Sequence, residues 1–252
     1  ALCDTGVWID RGQIRRYGPI DDIMEAYEAS FTDRPRLWSG TQDLERQSTG
    51  TVESPFADLP DALDTNQRWM MLWINHLYQQ GLIFECSTSP HNFCPSKRVR
   101  QAEAITCLLR ARDLRNAPPQ QRSPRSLTPE EQTESLHRAT ELGLTLHDAN
   151  GQPQPIEPEH IVTRGELAVL LLKALHGPAY TPPPVNQQAF GDLTEELGDE
   201  QSWMIPWIEQ LYQQQISSGH ANGYKPNQPA YRRTLAVMLG RAFQAYFGKP
   251  IN

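Results

Sequence analysis

Trp69-Met70-Met71-Leu72-Trp73-Ile74-Asn75-His76-Leu77-Tyr78-Gln79-Gln80 returns further along the chain as Trp203-Met204-Ile205-Pro206-Trp207-Ile208-Glu209-Gln210-Leu211-Tyr212-Gln213-Gln214. Phe56-Ala57-Asp58-Leu59 returns as Phe190-Gly191-Asp192-Leu193 at the same offset. A pattern held in register over this length is an internal repeat, which sets the architecture before any single residue does. In the first copy Trp73, Ile74, Leu77 and Tyr78 make one apolar stripe of a helix. Gly81 follows as a C-cap, where a positive φ costs nothing. A loop over 84–97, with Pro90 and Pro95, leads to a second helix marked by Ala102, Ile105, Leu108 and Leu109. The unit is helix, loop, helix. It cannot bury its stripe alone, so units must stack.

A degenerate third copy lies between these two. Glu141-Leu142-Gly143-Leu144 matches Gln79-Gln80-Gly81-Leu82. Val162-Thr163-Arg164-Gly165-Glu166 through Lys173-Ala174 aligns with Val99-Arg100-Gln101-Ala102-Glu103 through Arg110-Ala111, and with Ala230-Tyr231-Arg232-Arg233-Thr234 through Arg241-Ala242. The middle copy lacks the Phe-x-Asp opening. Its first helix is expected to start with Thr128 as N-cap, Pro129 at N1 and Glu131 at N3.

The order Phe-x-Asp, Trp, Ile-x-x-Leu-Tyr-x-x-Gly, Phe-x-Pro, Val-Thr-Arg-x-Glu, Leu-Leu-(Arg/Lys)-Ala resembles the S-layer homology (SLH) domain. The resemblance covers roughly 56–247 and is weakest in the middle copy. It implies a mainly α fold: three SLH repeats, 56–115, 127–177 and 190–247, in a pseudo-threefold bundle that binds cell-wall polysaccharide in grooves between repeats. We expect the units to meet around a common axis through their first helices.

Residues 1–31 differ in kind. Val7-Trp8-Ile9-Asp10, Arg11-Gly12 and Gln13-Ile14-Arg15-Arg16-Tyr17 predict a β-hairpin. Gly18-Pro19 should break it, and 19–31 reads as a short amphipathic helix with Ile20, Ile23, Met24 and Tyr27 on one face. Leu2-Cys3-Asp4, Trp8-x-Asp10-x-Gly12-x-Ile14, Gly18-Pro19 and Ala26-Tyr27 resemble the tail of the ATP-binding domain of polysaccharide-export ABC transporters (O-antigen or teichoic-acid type). Residues 32–55 are polar and read as a linker. Pro-rich segments at 116–124 and 177–188 read as stiff connections between copies.

The 252 residues carry a net charge of −7, which gives no basic footprint for nucleic acid. No apolar run approaches the roughly 20 residues of a membrane span. The chain begins at Ala1 rather than Met, in keeping with a fragment of a longer protein. It has no Walker A loop, no HExxH and no nucleophile elbow, and no carboxylate pair stands out as a glycosidase set. The expected role is therefore non-catalytic, with no cofactor and no metal. Cys107 reads as core and Cys3 is unassigned. Cys86 and Cys94 flank the first-copy loop. The family resemblance implies a disulfide between them in an oxidising compartment, while in the cytosol the same pair would stay reduced, and His91 alone does not complete a zinc site.

Thr163 and Glu166 have capping-box spacing. Arg164 then sits at N1, beside the positive end of the helix dipole, where a cation does not help the helix. Arg with free helix amides makes an anion site; the other reading is an Arg paired with a neighbouring acid. The SLH resemblance implies that this Arg touches ligand. The third copy keeps it as Arg232, with Arg233 beside it, and the first has Gln101, with Arg98 and Arg100 nearby. Trp69 and Trp203 are candidates for stacking on a sugar, Trp73 and Trp207 for core packing, and Asp58 and Asp192 for capping or turns.

The expected partner is an anionic polysaccharide, joined by the membrane subunit of a transporter if the chain belongs to an exporter. The location would then be the cytoplasmic face of the inner membrane. A secreted anchoring module at the cell surface, and a protein-interaction scaffold that has lost sugar binding, are the alternatives.

Overall fold

The computed structural model of the chain describes residues 5–10, 13–19, 54–59, 65–220 and 223–249. The chain divides into two units, Ala1–Gln47 and Ser48–Asn252. In the first, β1 (Thr5–Asp10) pairs antiparallel with β2 (Gln13–Pro19), from Asp10↔Gln13 to Thr5↔Pro19. The pairing steps from Ile9↔Ile14 to Trp8↔Arg16, so Arg15 is the extra residue of a β-bulge. The expected hairpin is present. It continues through Gly18 and Pro19, where a break was expected, because an edge strand tolerates Pro and both strands of a two-stranded sheet are edges. The expected helix after it, and the linker up to residue 53, lie outside the described residues.

The second unit is helical. Its α-helices are α1 (Thr65–Gln79), α2 (Gln101–Leu114), α3 (Pro129–Leu142), α4 (Arg164–His176), α5 (Leu193–Gln201), α6 (Ile205–Gln213) and α7 (Arg232–Phe247). The loop of the first copy contains a small hairpin of β3 (Ser87–Thr88) and β4 (His91–Asn92). The expected caps are in place. Thr128 Oγ1 accepts from Glu131 N at 3.1 Å. Thr163 and Glu166 close a reciprocal box, Glu166 N to Thr163 Oγ1 at 3.2 Å and Thr163 N to Glu166 Oε2 at 2.8 Å. Gly81 has φ 72°, and a Cβ there would lie 2.4 Å from Ser123 O, so the following connection packs directly against the turn.

The common axis runs through the second helices, not the first. α2, α4 and α7 touch one another pairwise, while α1 lies on α7, α3 on α2 and α6 on α4. The physical reason is composition. In α4 every residue from Leu167 to Ala174 is buried, and a helix apolar on all sides must be central. The first helices carry only a stripe and serve as outer staves. These contacts join neighbouring copies cyclically: the first helix of copy one packs on the third copy's second helix, that of copy two on the first copy's, and that of copy three on the second copy's. α4 and α6 run parallel, with Met204 against Gly165 at one end and His176 bonded to Gln214 at 3.0 Å at the other.

Candidate functional site

At one end of the axis the three segments entering α2, α4 and α7 form a closed backbone ring. Val99 N donates to Ala230 O at 2.9 Å, Ala230 N to Val162 O at 2.8 Å, and Val162 N to Val99 O at 3.0 Å. These three residues point inward and are fully buried. The amide two residues on in each copy also crosses to a neighbour: Gln101 N to His160 O, Arg164 N to Gln228 O, and Arg232 N to Lys97 O. So does the one after: Ala102 N to Pro158 O, Gly165 N to Pro226 O, and Arg233 N to Pro95 O. The helix amides expected to be free for an anion beside Arg164 are therefore taken. The first two hold the adjacent copy and the third holds Thr163 Oγ1.

The three equivalent side chains differ. Arg232 is 3 % exposed and fully engaged. Its Nε donates to Phe93 O at 2.8 Å, Nη1 to Glu103 Oε1 at 3.2 Å, and Nη2 to Phe84 O. Its guanidinium lies 5.0 Å from the Phe84 ring centre and 4.7 Å from that of Phe93. Arg164 is 6 % exposed. Its Nε donates to Tyr224 O at 2.8 Å, its guanidinium sits 4.6 Å from the Tyr224 ring centre, and the Tyr224 hydroxyl donates back to Arg164 O at 3.0 Å. Among the described residues nothing accepts from its Nη1 or Nη2. The residue in the third copy that corresponds to Glu103 is Thr234, which has no carboxylate to offer. Gln101 is buried and uses Oε1 to accept from Glu157 N at 2.8 Å.

Around this end, Asp58 accepts from Phe93 N at 2.8 Å and Cys94 N at 2.6 Å, and Asp192 from Tyr224 N at 2.9 Å and Lys225 N at 2.8 Å. Cys94 and Lys225 have φ near 60°, a left-handed backbone that the paired carboxylate bonds hold. Both acids thus fix the loops whose carbonyls grip Arg232 and Arg164. Sequence reading gave Asp58 and Asp192 a turn role in general terms; it missed Phe93 and Tyr224 as platforms. Tyr224 is fully buried, and burial pushes its hydroxyl up to about 12.

Arg233 lies beside this ring, bonded through Nη1 to Ser96 Oγ at 2.8 Å, with its guanidinium 4.7 Å from the Tyr231 ring centre. Trp69 and Trp203 are half-buried. The Arg241 guanidinium lies 5.3 Å from the Trp69 ring centre, and the His147 ring 4.0 Å from that of Trp203. Trp73 and Trp207 are buried in the core. The structure therefore brings Arg164, Arg232 and Arg233 to one end; Trp203 directly precedes Met204, which packs against Gly165 beside Arg164, and Trp69 lies beside Arg241. Cys86 and Cys94 are joined in a disulfide with Cα atoms 6.0 Å apart, and Cys107 is buried with its thiol pushed up to about 12. Among the described residues no group of three or more His, Cys, Asp or Glu could hold a metal, and no helix is long and apolar enough to cross a membrane.

Compared with known protein families and with curated proteins, the chain matches none.

Proposed function

We propose that this chain is a non-catalytic binding module for an acidic cell-surface polysaccharide, built from three SLH-like repeats. The observation that supports it is the state of Arg164. A guanidinium fixed by Tyr224 O and the Tyr224 ring, yet with both terminal nitrogens unbonded among the described residues, is pre-organised for a carboxylate or phosphate. The same position is satisfied internally in copy three and neutral in copy one, so binding is concentrated at the junction between copies two and three. The resemblance of the N-terminal hairpin to an exporter's ATP-binding domain supports placing the module at the end of a polysaccharide-export ATPase subunit, whereas the Cys86–Cys94 disulfide favours the secreted anchoring alternative.

The test is calorimetric titration of polysaccharide extracted from the source cell envelope against the wild-type protein and Arg164→Ala. Loss of one or more charge-assisted bonds weakens binding by about tenfold or more. Arg232→Ala and Gln101→Ala bind as wild type once folding is verified by melting. Unchanged affinity in folded Arg164→Ala removes the groove from consideration and leaves the protein-interaction scaffold. A signal peptide encoded upstream of Ala1 favours a secreted anchor, and an ATPase core favours export.

A further inference from the structure

The axial ring exposes a second cationic group beyond the Arg164 groove. Because Val99, Val162 and Ala230 point inward, their chain neighbours point out. Arg98 and Tyr231 are directly paired across the first–third junction. The bonds Val99 N to Ala230 O and Arg232 N to Lys97 O flank this pair, which makes it the non-hydrogen-bonded kind, the one that brings facing side chains closest. Arg98 is exposed, and the Arg233 guanidinium lies over the same Tyr231 ring at 4.7 Å. Two cations thus flank one phenol. Among the described residues neither has an acidic partner, although the chain as a whole is acidic. Two other exposed cations of the ring face acids: Arg100 lies 3.0 Å from Glu159 and Lys97 3.8 Å from Glu103.

The backbone connects this cluster to Arg164. Arg164 N donates to Gln228 O at 2.9 Å and Thr163 pairs with Pro229, and the same segment runs on through Tyr231, which pairs with Arg98, to Arg233.

We infer that Arg98, Tyr231 and Arg233 form a second anion subsite continuous with Arg164, so that the protein takes an internal stretch of an acidic glycan with charges on more than one sugar, rather than a single terminal acid. This deepens the glycan-binding reading and rests on it. Two separated cationic positions fit a repeating polyanion, because the second contact is made at the high effective concentration set by the first.

The test uses oligogalacturonates of increasing length and their methyl esters. Wild-type affinity is expected to rise by about tenfold or more from the monomer to the hexamer. The methyl esters, with the charge removed, lose that rise. In Arg98→Ala/Arg233→Ala the monomer binds as in wild type while the gain with length disappears, and the salt dependence of hexamer binding becomes shallower. Arg164→Ala weakens the monomer itself, so failure of the groove and failure of the second subsite read out separately. No gain with length in wild type, or a full gain in the folded double variant, overturns the inference. So does tighter binding of single-stranded DNA than of the hexamer, which would assign the cluster to nucleic acid.

Discussion

The side-chain oxygen of Gln101 accepts the backbone N–H of Glu157 at 2.8 Å, across the junction between the first and second copies. In the other copies the corresponding amides, Cys94 N and Lys225 N, are held by Asp58 and Asp192. The second copy has no Phe-x-Asp opening, so its amide would be unsatisfied. Gln101 supplies the missing acceptor from next door. Two departures from the repeat pattern, an Arg replaced by Gln and an Asp lost, are thus one compensated change. Gln101→Ala is expected to cost about 1 kcal/mol and lower Tm by roughly 2–4 °C, measured by calorimetric melting.

Arg232→Ala should be far more costly. It removes three hydrogen bonds and leaves Glu103 with the Arg100 N–H at 3.1 Å and the longer contact to Lys97 at 3.8 Å. Breaking a buried pair of this kind costs about 3–5 kcal/mol. Urea unfolding should report a lower midpoint at unchanged slope.

Thr234→Glu separates ligand binding from folding. It places a carboxylate in copy three where copy one has Glu103, within the same relation to Arg164 that Glu103 has to Arg232. An acid in the first turn of α7 also suits the helix dipole. Glycan affinity should fall by about tenfold or more while Tm is held or raised. A variant that binds normally would mean that the terminal nitrogens of Arg164 do not meet the ligand.

Gly240→Ala tests the outer packing. A Cβ there would lie 2.3 Å from Cε3 and 2.8 Å from Cζ3 of Trp73, a ring buried between α1 and α7. Relieving that overlap should cost about 1–3 kcal/mol. Tryptophan fluorescence and the melting curve should both shift.

Stability should fall on mild acidification. Burial holds the His76 pKa below its ordinary value, partly offset by its bond to Phe247 O at 3.0 Å. The unfolded chain therefore takes up this proton first. The contribution is complete above the ordinary histidine pKa and is lost as pH drops through it. Between about pH 7.5 and about pH 5.5 the wild-type Tm should decrease, and His76→Gln should decrease less.

The three units and most of their helices were legible because the tryptophan stretch repeats in register and because Thr128, Thr163, Gly81 and Gly143 punctuate the helix ends. What ran along the axis was misjudged. The repeated stretch drew attention to the first helices, although Leu167 to Ala174 carries the stronger signal, an apolar run with no solvent face. The roles of Arg232 and Arg164 could not be separated from spacing alone. Their difference depends on which residue of the next copy, Glu103 or Thr234, folds against them.

The contacts of α1 with α7 carry the chain back to where the repeats began. Ser54 bonds Asn75, and His76 bonds Phe247 O, so the start and finish of the three-copy body meet. The bundle is in effect a circle cut at one arbitrary point. A circular permutant opened at 116–124 and joined from 249 to 54 by a short linker would keep the helix-to-helix contacts between copies. A solenoid can gain or lose units at its ends, but this circle has none to extend, and its copy number is fixed at three by closure.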